Sequence, residues 1–238
     1  MTRSFIDLHC HTSASFDSLA RPRDVVRAAA ARGLTHLIVT DHDRIDGAMA
    51  ARDAAPDGLT VIIGEEIKTG DGDLIAAFLE RAIPPGMSAV DTMAAVREQG
   101  GLIGIPHPFD GLRGSLLTGG RMSELASLVD WIEIHNARLV GRGNERAATF
   151  ARERGIPGVA TSDAHSVLEV GVAYTALDGD PSTAPGLLAA LAGVQLVPGR
   201  ASLVVRAWTP VAKIVQRSRG NNRVRPVESA AIDRGKLP

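Results

Sequence analysis

The sequence predicts an α/β protein whose strands form a closed or nearly closed (β/α) barrel, with an open doubly wound sheet as the alternative. Short apolar runs alternate with helix-like stretches, which is typical of a parallel sheet with right-handed crossovers. Aromatic residues make up only 3% of the 238 residues, so the core must consist mainly of Ala, Val, Leu and Ile, as in buried parallel strands covered by alanine-rich helices. About seven strand candidates favour the barrel over the open sheet.

The predicted strands and helices alternate along the first two thirds of the chain. Strands are predicted at residues 5–9, 34–40, 59–63, 74–79, 102–105, 131–134 and 158–160, of which 74–79 is expected to be an edge strand. Helices are predicted at residues 22–32, 46–54, 88–99 and 144–154. Pro22 and Gly33 delimit the first helix, whereas Ser88 can cap the third and Gly100 ends it. Polar clusters follow most of these strands, so they should collect at the carboxyl ends of the barrel.

Composition and charge limit how the chain can be organised and which partners it can have. No Pro, Gly or Ser-rich linker divides residues 1–215, which are predicted to form one domain, and residues 216–238 form a basic tail without apolar periodicity. This tail is interpreted as flexible or loosely attached; it could attract an anionic substrate or mediate contacts between subunits. The net charge of −1 does not indicate a stable nucleic-acid partner or a membrane partner, and the oligomeric state stays open.

Cysteine content and motif searches narrow the cellular context and the cofactors. The single cysteine, Cys10, is expected to be a buried core thiol, and no signal region or membrane-length apolar run is present, so the cytoplasm is the expected compartment. No Gly-x-Gly-x-x-Gly follows the first strand and no phosphate loop occurs, which disfavours a nucleotide cofactor.

Histidine and acidic residues at several strand ends indicate a metal site. His9 and His11 lie two residues apart on a strand, so both side chains should emerge on one face and hold one cation. Asp163 and His165 repeat this spacing after another apolar strand. His42 is the first choice within Asp-His-Asp, with Asp41 as its partner or support.

Four further positions carry predictions of different kinds. A buried carboxylate without a cation would be costly, so either Glu65 or Glu66 should be a ligand. His107 stands between two prolines, which provide a rigid mount for its imidazole. His135 lies two residues after Glu133, so these two side chains should face one side of the strand and Asn136 the other. Which of the two sides faces the site stays open. His36 lies at the start of its strand and is expected to be structural.

Six motifs stand out along the chain: Asp7-Leu8-His9-Cys10-His11-Thr12, Ser15-Phe16-Asp17, Thr40-Asp41-His42-Asp43, Gly64-Glu65-Glu66-Ile67, Pro106-His107-Pro108 and Ser162-Asp163-Ala164-His165. Together they resemble the polymerase and histidinol phosphatase (PHP) family of metal-dependent phosphoesterases over about residues 5–170. The resemblance implies a distorted (β/α)7 barrel with two or three divalent metal ions, often manganese, zinc or iron. It also implies hydrolysis of a phosphoester.

The resemblance assigns ligands residue by residue. It implies that His9, His11, Glu66 and Asp163 hold one metal and that Asp17, His42 and His165 hold another. A third metal would be bound by Glu66, by His107 and by one more histidine, which is missing from Gly70-Asp71-Gly72-Asp73. That third site could be empty, weak, or completed by Asp73 or His135. Glu66, Asp163 and His165 are the residues expected to be catalytic.

The expected reaction is hydrolysis of a small phosphomonoester, such as a nucleotide mono- or bisphosphate or a histidinol-phosphate-like metabolite. A hydroxide that bridges two cations would be the nucleophile. Arg113, Arg138 and Arg142 lie in loops after site strands and are candidates for binding the substrate phosphate. The alternatives are a PHP-type nuclease acting on nucleic acid and a catalytically inactive binding module that metals stabilise.

Overall fold

The structure, a computed structural model, describes residues 3–110 and 122–224. Its strands are β1 (Arg3–Cys10), β2 (His36–Val39), β3 (Thr60–Lys68), β4 (Asp73–Ala77), β5 (Leu102–Ile105), β6 (Trp131–Asn136), β7 (Gly158–Thr161), β8 (Tyr174–Asp178) and β9 (Gln195–Val197). Its helices are α1 (Pro22–Ala31), α2 (Asp46–Asp53), α3 (Ala89–Glu98), α4 (Met122–Ala126), α5 (Gly143–Arg154), α6 (Ala184–Ala190), α7 (Leu203–Arg206) and α8 (Trp208–Ser218). None of these helices is long and apolar enough to cross a membrane.

One sheet carries all the described strands in the order β7-β6-β5-β4-β3-β2-β1-β8-β9. Strands β7 to β1 of this sheet curve so that the chain after β7 meets β1. The Asp163 N–H donates to the His9 carbonyl and the His11 N–H donates to the Ala164 carbonyl, both at 2.9 Å. These bonds join the chain after β7 to the end of β1, so the sheet forms a nearly closed barrel. The predicted α/β barrel is therefore confirmed.

Strand β4 departs from two expectations. It pairs with β3 on one side and with β5 on the other, antiparallel to both, so it is an interior strand and the prediction of an edge strand was wrong. The sheet is also not wholly parallel, because a four-residue turn after Lys68 reverses the chain directly into β4 without a crossover helix. This reversal brings Asp73 close to the end of β3.

Buried apolar residues from all seven barrel strands form a single cluster, which places the cluster inside the barrel. Its largest member is Trp131 on β6, which packs directly on the backbone of Gly104 on β5. A methyl group on Gly104 would lie 2.2 Å from the indole ring, so only glycine fits there. This packing fills the barrel interior, and the polar residues are left at the carboxyl ends of the strands.

The chain after residue 165 contains elements that the sequence analysis did not assign. Strand β8 pairs antiparallel with β1, and β9 extends the sheet beyond it. Helix α8 and residues 219–224 pack on the loop after β1, and Gln216 is buried. The predicted boundary between residues 215 and 216 therefore falls inside a helix. Residues 225–238 lie outside the described part of the chain, so the flexible tail stays a prediction there.

Candidate metal centre

The alternation of β1 brings His9 and His11 together, as their spacing predicts. Their Nε2 atoms lie 2.9 Å apart, and both side chains are completely buried. The intervening residue, Cys10, faces the apolar packing on the other side of the strand. Two imidazole nitrogens thus point at one position at the carboxyl end of the barrel.

Glu66 lies at the centre of the predicted ligands. Its Oε2 atom is 3.4 Å from His11 Nε2 and 3.0 Å from His42 Nδ1, and its Oε1 atom is 2.9 Å from His107 Nε2. Glu65 faces the opposite side of β3, where it accepts the Ile83 N–H at 2.8 Å. Of the two glutamates, therefore, only Glu66 reaches the histidines.

Asp163 and His165 follow β7 and complete two sides of the cluster. Asp163 Oδ1 lies 3.7 Å from the Nε2 atoms of both His9 and His11. Asp17 Oδ2 lies 3.4 Å from His165 Nε2 and 3.5 Å from His42 Nε2. Asp163 adopts a positive φ of 52°, an unusual backbone conformation that occurs often at functional sites.

These distances fit divalent cations bound between the side chains. Two ligand atoms that are each about 2.1 Å from a cation, at an angle near 90–110°, are separated by roughly 3.0–3.4 Å. The ligand atoms of two residue sets lie within 4.8 Å of one another: His9, His11 and Asp163, and His11, His42 and His165. Asp17 Oδ1 is buried and has no hydrogen-bond partner among the described residues. A cation next to it would satisfy this atom.

A third set of converging side chains contains Glu66, His107 and Asp73. The structure therefore brings Asp73, one of the two residues considered for a third site, to the cluster. It does not bring His135 there, because His135 Nε2 lies 2.8 Å from the Gly199 carbonyl. An irregularity in the β6–β7 pairing between Glu133 and His135 turns this imidazole away.

The same irregularity allows both Glu133 and Asn136 to face the cluster. In a regular strand, residues three apart would face opposite sides. Glu133 Oε1 lies 2.7 Å from His9 Nδ1, and Glu133 Oε2 accepts the His107 N–H at 2.7 Å. The Asn136 amide donates to Glu133 Oε2 at 2.8 Å and to Asp163 Oδ2 at 3.1 Å. These contacts orient three of the predicted ligands without occupying the atoms that face the centre.

Asp41 supports the cluster from behind instead of joining it. Its two carboxylate oxygens accept hydrogen bonds from the N–H and O–H groups of Thr12 and Ser15, at 2.6 to 3.2 Å. Ser15 Oγ in turn lies 3.1 Å from His11 Nδ1. Asp41 therefore fixes the loop after β1 and, through Ser15, the ring of His11.

The electrostatics of the cluster reflect its burial and its mixture of charges. Burial alone would lower the pKa of His9, but Glu133, Asp163 and Glu66 outweigh it and raise that pKa well above its usual value. Burial would raise the pKa of Glu66, yet His42 and His9 hold it well below the usual range. Glu66 thus stays ionised and favours positive charge at the centre.

A cavity of about 240 Å³ opens onto the cluster. Three basic side chains line it, namely Lys68, Lys213 and Arg223, together with the ring of Phe16. Lys68 could have been predicted, because it shares the strand parity of Glu66. Lys213 and Arg223 carry no signal of this kind, and Arg223 falls in the stretch interpreted as a tail.

Arg138 and Arg142, two of the three arginines predicted to bind phosphate, do not line this cavity. Arg138 is buried, with Nη2 donating to Thr209 Oγ1 at 2.6 Å and Nη1 lying 3.6 Å from Glu169 Oε1. Arg142 is exposed and pairs with Glu145 at 2.9 Å, beside a separate surface cavity. Arg113 lies outside the described residues. The prediction for Arg138 and Arg142 therefore has no support in the geometry.

A nearly closed α/β barrel that carries histidine and carboxylate clusters at its strand ends is typical of metal-dependent hydrolases. Comparison with known families identifies which one this is. The profile of the PHP domain matches residues 7–103, and the PHP-associated profile matches residues 141–193. The chain therefore belongs to the PHP family and is a metal-dependent hydrolase of the phosphoesterase type.

Several individual proteins are similar to this chain. An uncharacterized protein of Methanocaldococcus jannaschii is 34% identical over 142 residues, which are 55% of this chain and 81% of that protein. A 5'-3' exoribonuclease of Haemophilus influenzae is 32% identical over 126 residues, 48% of this chain and 45% of the enzyme. A Bacteroides vulgatus structure described as a two-domain protein with a predicted PHP-like metal-dependent phosphoesterase has a TM-score of 0.71 at 20% identity; the match covers 83% of this chain and 65% of that protein. This last likeness shows the shared fold.

Proposed function

We propose that the protein hydrolyses phosphomonoesters of small molecules. The observation that carries this proposal is the cavity over the cluster, which has about 240 Å³ and is lined by Lys68, Lys213 and Arg223. This volume is ample for one phosphoryl group and lies just below the roughly 300–1,000 Å³ of pockets for drug-sized ligands. Positive side chains around the cavity suit the charge of a phosphate dianion.

The chain's own residues would prepare the site for this reaction. Bound divalent cations, for which manganese, zinc or iron are proposed, would supply an activated water and neutralise charge on the phosphoryl oxygens. Glu133 would keep the Nε2 atom of His9 free of a proton, and Ser15 would do the same for His11. Asn136 would hold the Asp163 carboxylate in place. His9, His11, Asp17, His42, Glu66, His107, Asp163 and His165 are the proposed ligands.

A second candidate function is hydrolysis of nucleic acid. The similarity to the Haemophilus influenzae 5'-3' exoribonuclease, at 32% identity over 126 residues, favours it. A strand end could place its terminal phosphate in the same cavity, with the polymer extending outside. The net charge of −1 gives no general attraction for a polyanion, so we rank this function second.

The test is phosphate release from a panel of small phosphomonoesters by protein whose metal content has been measured. A 5'-phosphorylated RNA oligonucleotide is tested beside the panel with release of mononucleotides as its readout, because a nuclease releases no free phosphate, and a His9→Ala variant is the matched control. We expect turnover of small substrates that disappears on chelation and returns with Mn²⁺, Zn²⁺ or Fe²⁺. Turnover of RNA alone would favour the nuclease. Bound metal without turnover of any phosphoester would favour an inactive binding module.

A further inference from the structure

Helix α8 and residues 219–224 lie after the PHP-associated match, which ends at residue 193. Two amides fasten this C-terminal segment, residues 208–224, to the loop that follows β1. Gln216 is buried, and its amide donates to the carbonyls of Ser13, Ser15 and Ser18 at 2.7, 3.1 and 2.6 Å. Asn221 donates to the Ala14 carbonyl at 3.0 Å. The loop that carries Asp17 is therefore held by the C-terminal segment.

This docking brings two cationic side chains to the mouth of the metal cluster. Lys213 Nζ lies 4.0 Å from Asp17 Oδ2 and 5.5 Å from the centre of the Phe16 ring. The Arg223 guanidinium lies 5.6 Å from the same ring centre. Both line the cavity that contains Glu66, Asp163 and the histidines.

Arg223 is held in place by carboxylates that belong to the barrel. Its Nε donates to Asp43 Oδ2 at 2.9 Å, and the other oxygen of Asp43 accepts the Lys68 N–H at 2.7 Å. Its Nη2 lies 3.6 Å from Asp73 Oδ1 but makes no hydrogen bond with the described residues, although it is buried. One edge of the guanidinium is thus anchored by a hydrogen bond. The other edge faces Asp73 as an ion pair without a hydrogen bond, so it retains N–H donors for an anion.

A second cavity, of about 300 Å³, adjoins the first and shares Phe16, Lys213 and Arg223 with it. Arg217, Ile214 and two asparagines complete its lining, and none of the described residues that line it is acidic. A group that extends from the metal cluster into this cavity would pass between positive side chains. The surroundings therefore favour a negatively charged substituent over a neutral one.

We propose that the C-terminal segment is a substrate-recognition element. Lys213 and Arg223 bind the non-bridging oxygens of the phosphoryl group, and the adjoining cavity takes a leaving group that carries a further negative charge. This inference rests on the proposed phosphomonoesterase function. It adds the anion-binding residues and the substrate class to that function.

The first test uses the full-length, metal-loaded protein and three variants: Lys213→Met, Arg223→Gln and Arg219→Met. Arg219 is the matched control, because it is exposed on the same segment but lines neither of these two cavities. The readouts are metal content, the affinity for inorganic phosphate by calorimetry, and KM and kcat on the best substrate. Lys213→Met changes a half-exposed side chain, so it should fold normally.

We expect Lys213→Met and Arg223→Gln each to weaken phosphate binding and raise KM by about tenfold or more, as for the loss of one charge-assisted hydrogen bond. Metal content should not change, and Arg223→Lys should recover part of the affinity. Phosphate affinity within twofold of wild type in both variants would overturn the inference. The proposed function would still stand if the wild type hydrolyses phosphomonoesters.

The second test concerns the leaving group and compares phenyl phosphate with 4-carboxyphenyl phosphate, which differ by one carboxylate. We expect a higher kcat/KM for the carboxylated substrate, and Arg217→Met should reduce that preference. Equal kcat/KM values for the two substrates, or a preference that survives Arg217→Met, would contradict the assignment of the adjoining cavity.

Discussion

Replacing Glu133 by glutamine should disable His9 as a metal ligand by changing its tautomer. Glu133 Oε2 accepts hydrogen bonds from the His107 N–H and the Asn136 amide, whereas Oε1 faces His9 Nδ1. A glutamine must direct its oxygen at the two donors, so its NH2 group faces Nδ1. His9 can accept this hydrogen bond only with its proton on Nε2, and a protonated nitrogen cannot bind a cation.

The magnitude follows from the position of His9 Nε2, which lies 2.9 Å from His11 Nε2 at the centre of the site. Loss of a residue that orients a metal-binding histidine usually costs about 10–100-fold in metal affinity, or roughly 1.4–2.8 kcal/mol. Competition with a coloured chelator near neutral pH measures this affinity. The geometry of Glu133→Gln is nearly unchanged, so the effect reports on the proton and not on packing.

Glu65→Gln is the control for Glu133→Gln, because Glu65 is a buried glutamate on the opposite side of β3. Burial raises the pKa of Glu65 to about 8, so its side chain is largely neutral at neutral pH and resembles glutamine. We expect its metal affinity to match the wild type. A Glu133→Gln protein that binds metal as tightly as Glu65→Gln would refute the tautomer argument.

Two further predictions concern stability. Gly47→Ala would place a methyl group 2.0 Å from Asp41 Oδ2 and 2.4 Å from Thr12 Oγ1. This overpacking should lower the free energy of unfolding, measured in urea, by about 1–3 kcal/mol. Gly193→Ala is the control, because its methyl group would meet no atom within 4 Å. Burial lowers the pKa of His36 despite the nearby Asp180. The unfolded chain therefore binds more protons, and stability should fall as the pH drops through about 6.5. In urea titrations at several pH values, His36→Gln should therefore lose less stability at low pH than the wild type. An equal loss of stability in the two proteins would show that His36 is not its source.

Much of the barrel could be predicted because each strand is a short apolar run that a polar cluster follows. The exceptions have local causes. The turn before β4 is too short for a crossover helix, and its consequence, an antiparallel strand inside the sheet, depends on pairing with β5. The irregularity in β6 moves His135 outward and admits Asn136, and strand parity cannot anticipate an extra residue.

The sequence also predicts that the metal ligands converge, because side chains two residues apart on a strand emerge on the same face. The surroundings of the ligands could not be predicted. Glu133 reaches His9 from a strand that is 124 residues away, and Arg223 reaches Asp43 across 180 residues. Such contacts depend on the closed barrel and on the docking of α8. No local pattern in the sequence carries that information.

The burial of the cluster predicts that metal binding releases protons. Asp17, Glu66, Glu133 and Asp163 are all at most 4% exposed, so without metal ions protonated histidines must help to balance their charge. Burial opposes the protonation of His42, but Asp17 and Glu66 raise its pKa to about 9, and the pKa of His9 is also raised. Histidine binds metal only in its neutral form, so loading near neutral pH should expel about two protons. Calorimetric titration with metal in buffers of different ionisation enthalpy measures this number as a slope. A slope of zero would mean that the histidines are neutral before the metal arrives, and that the carboxylates are balanced in another way.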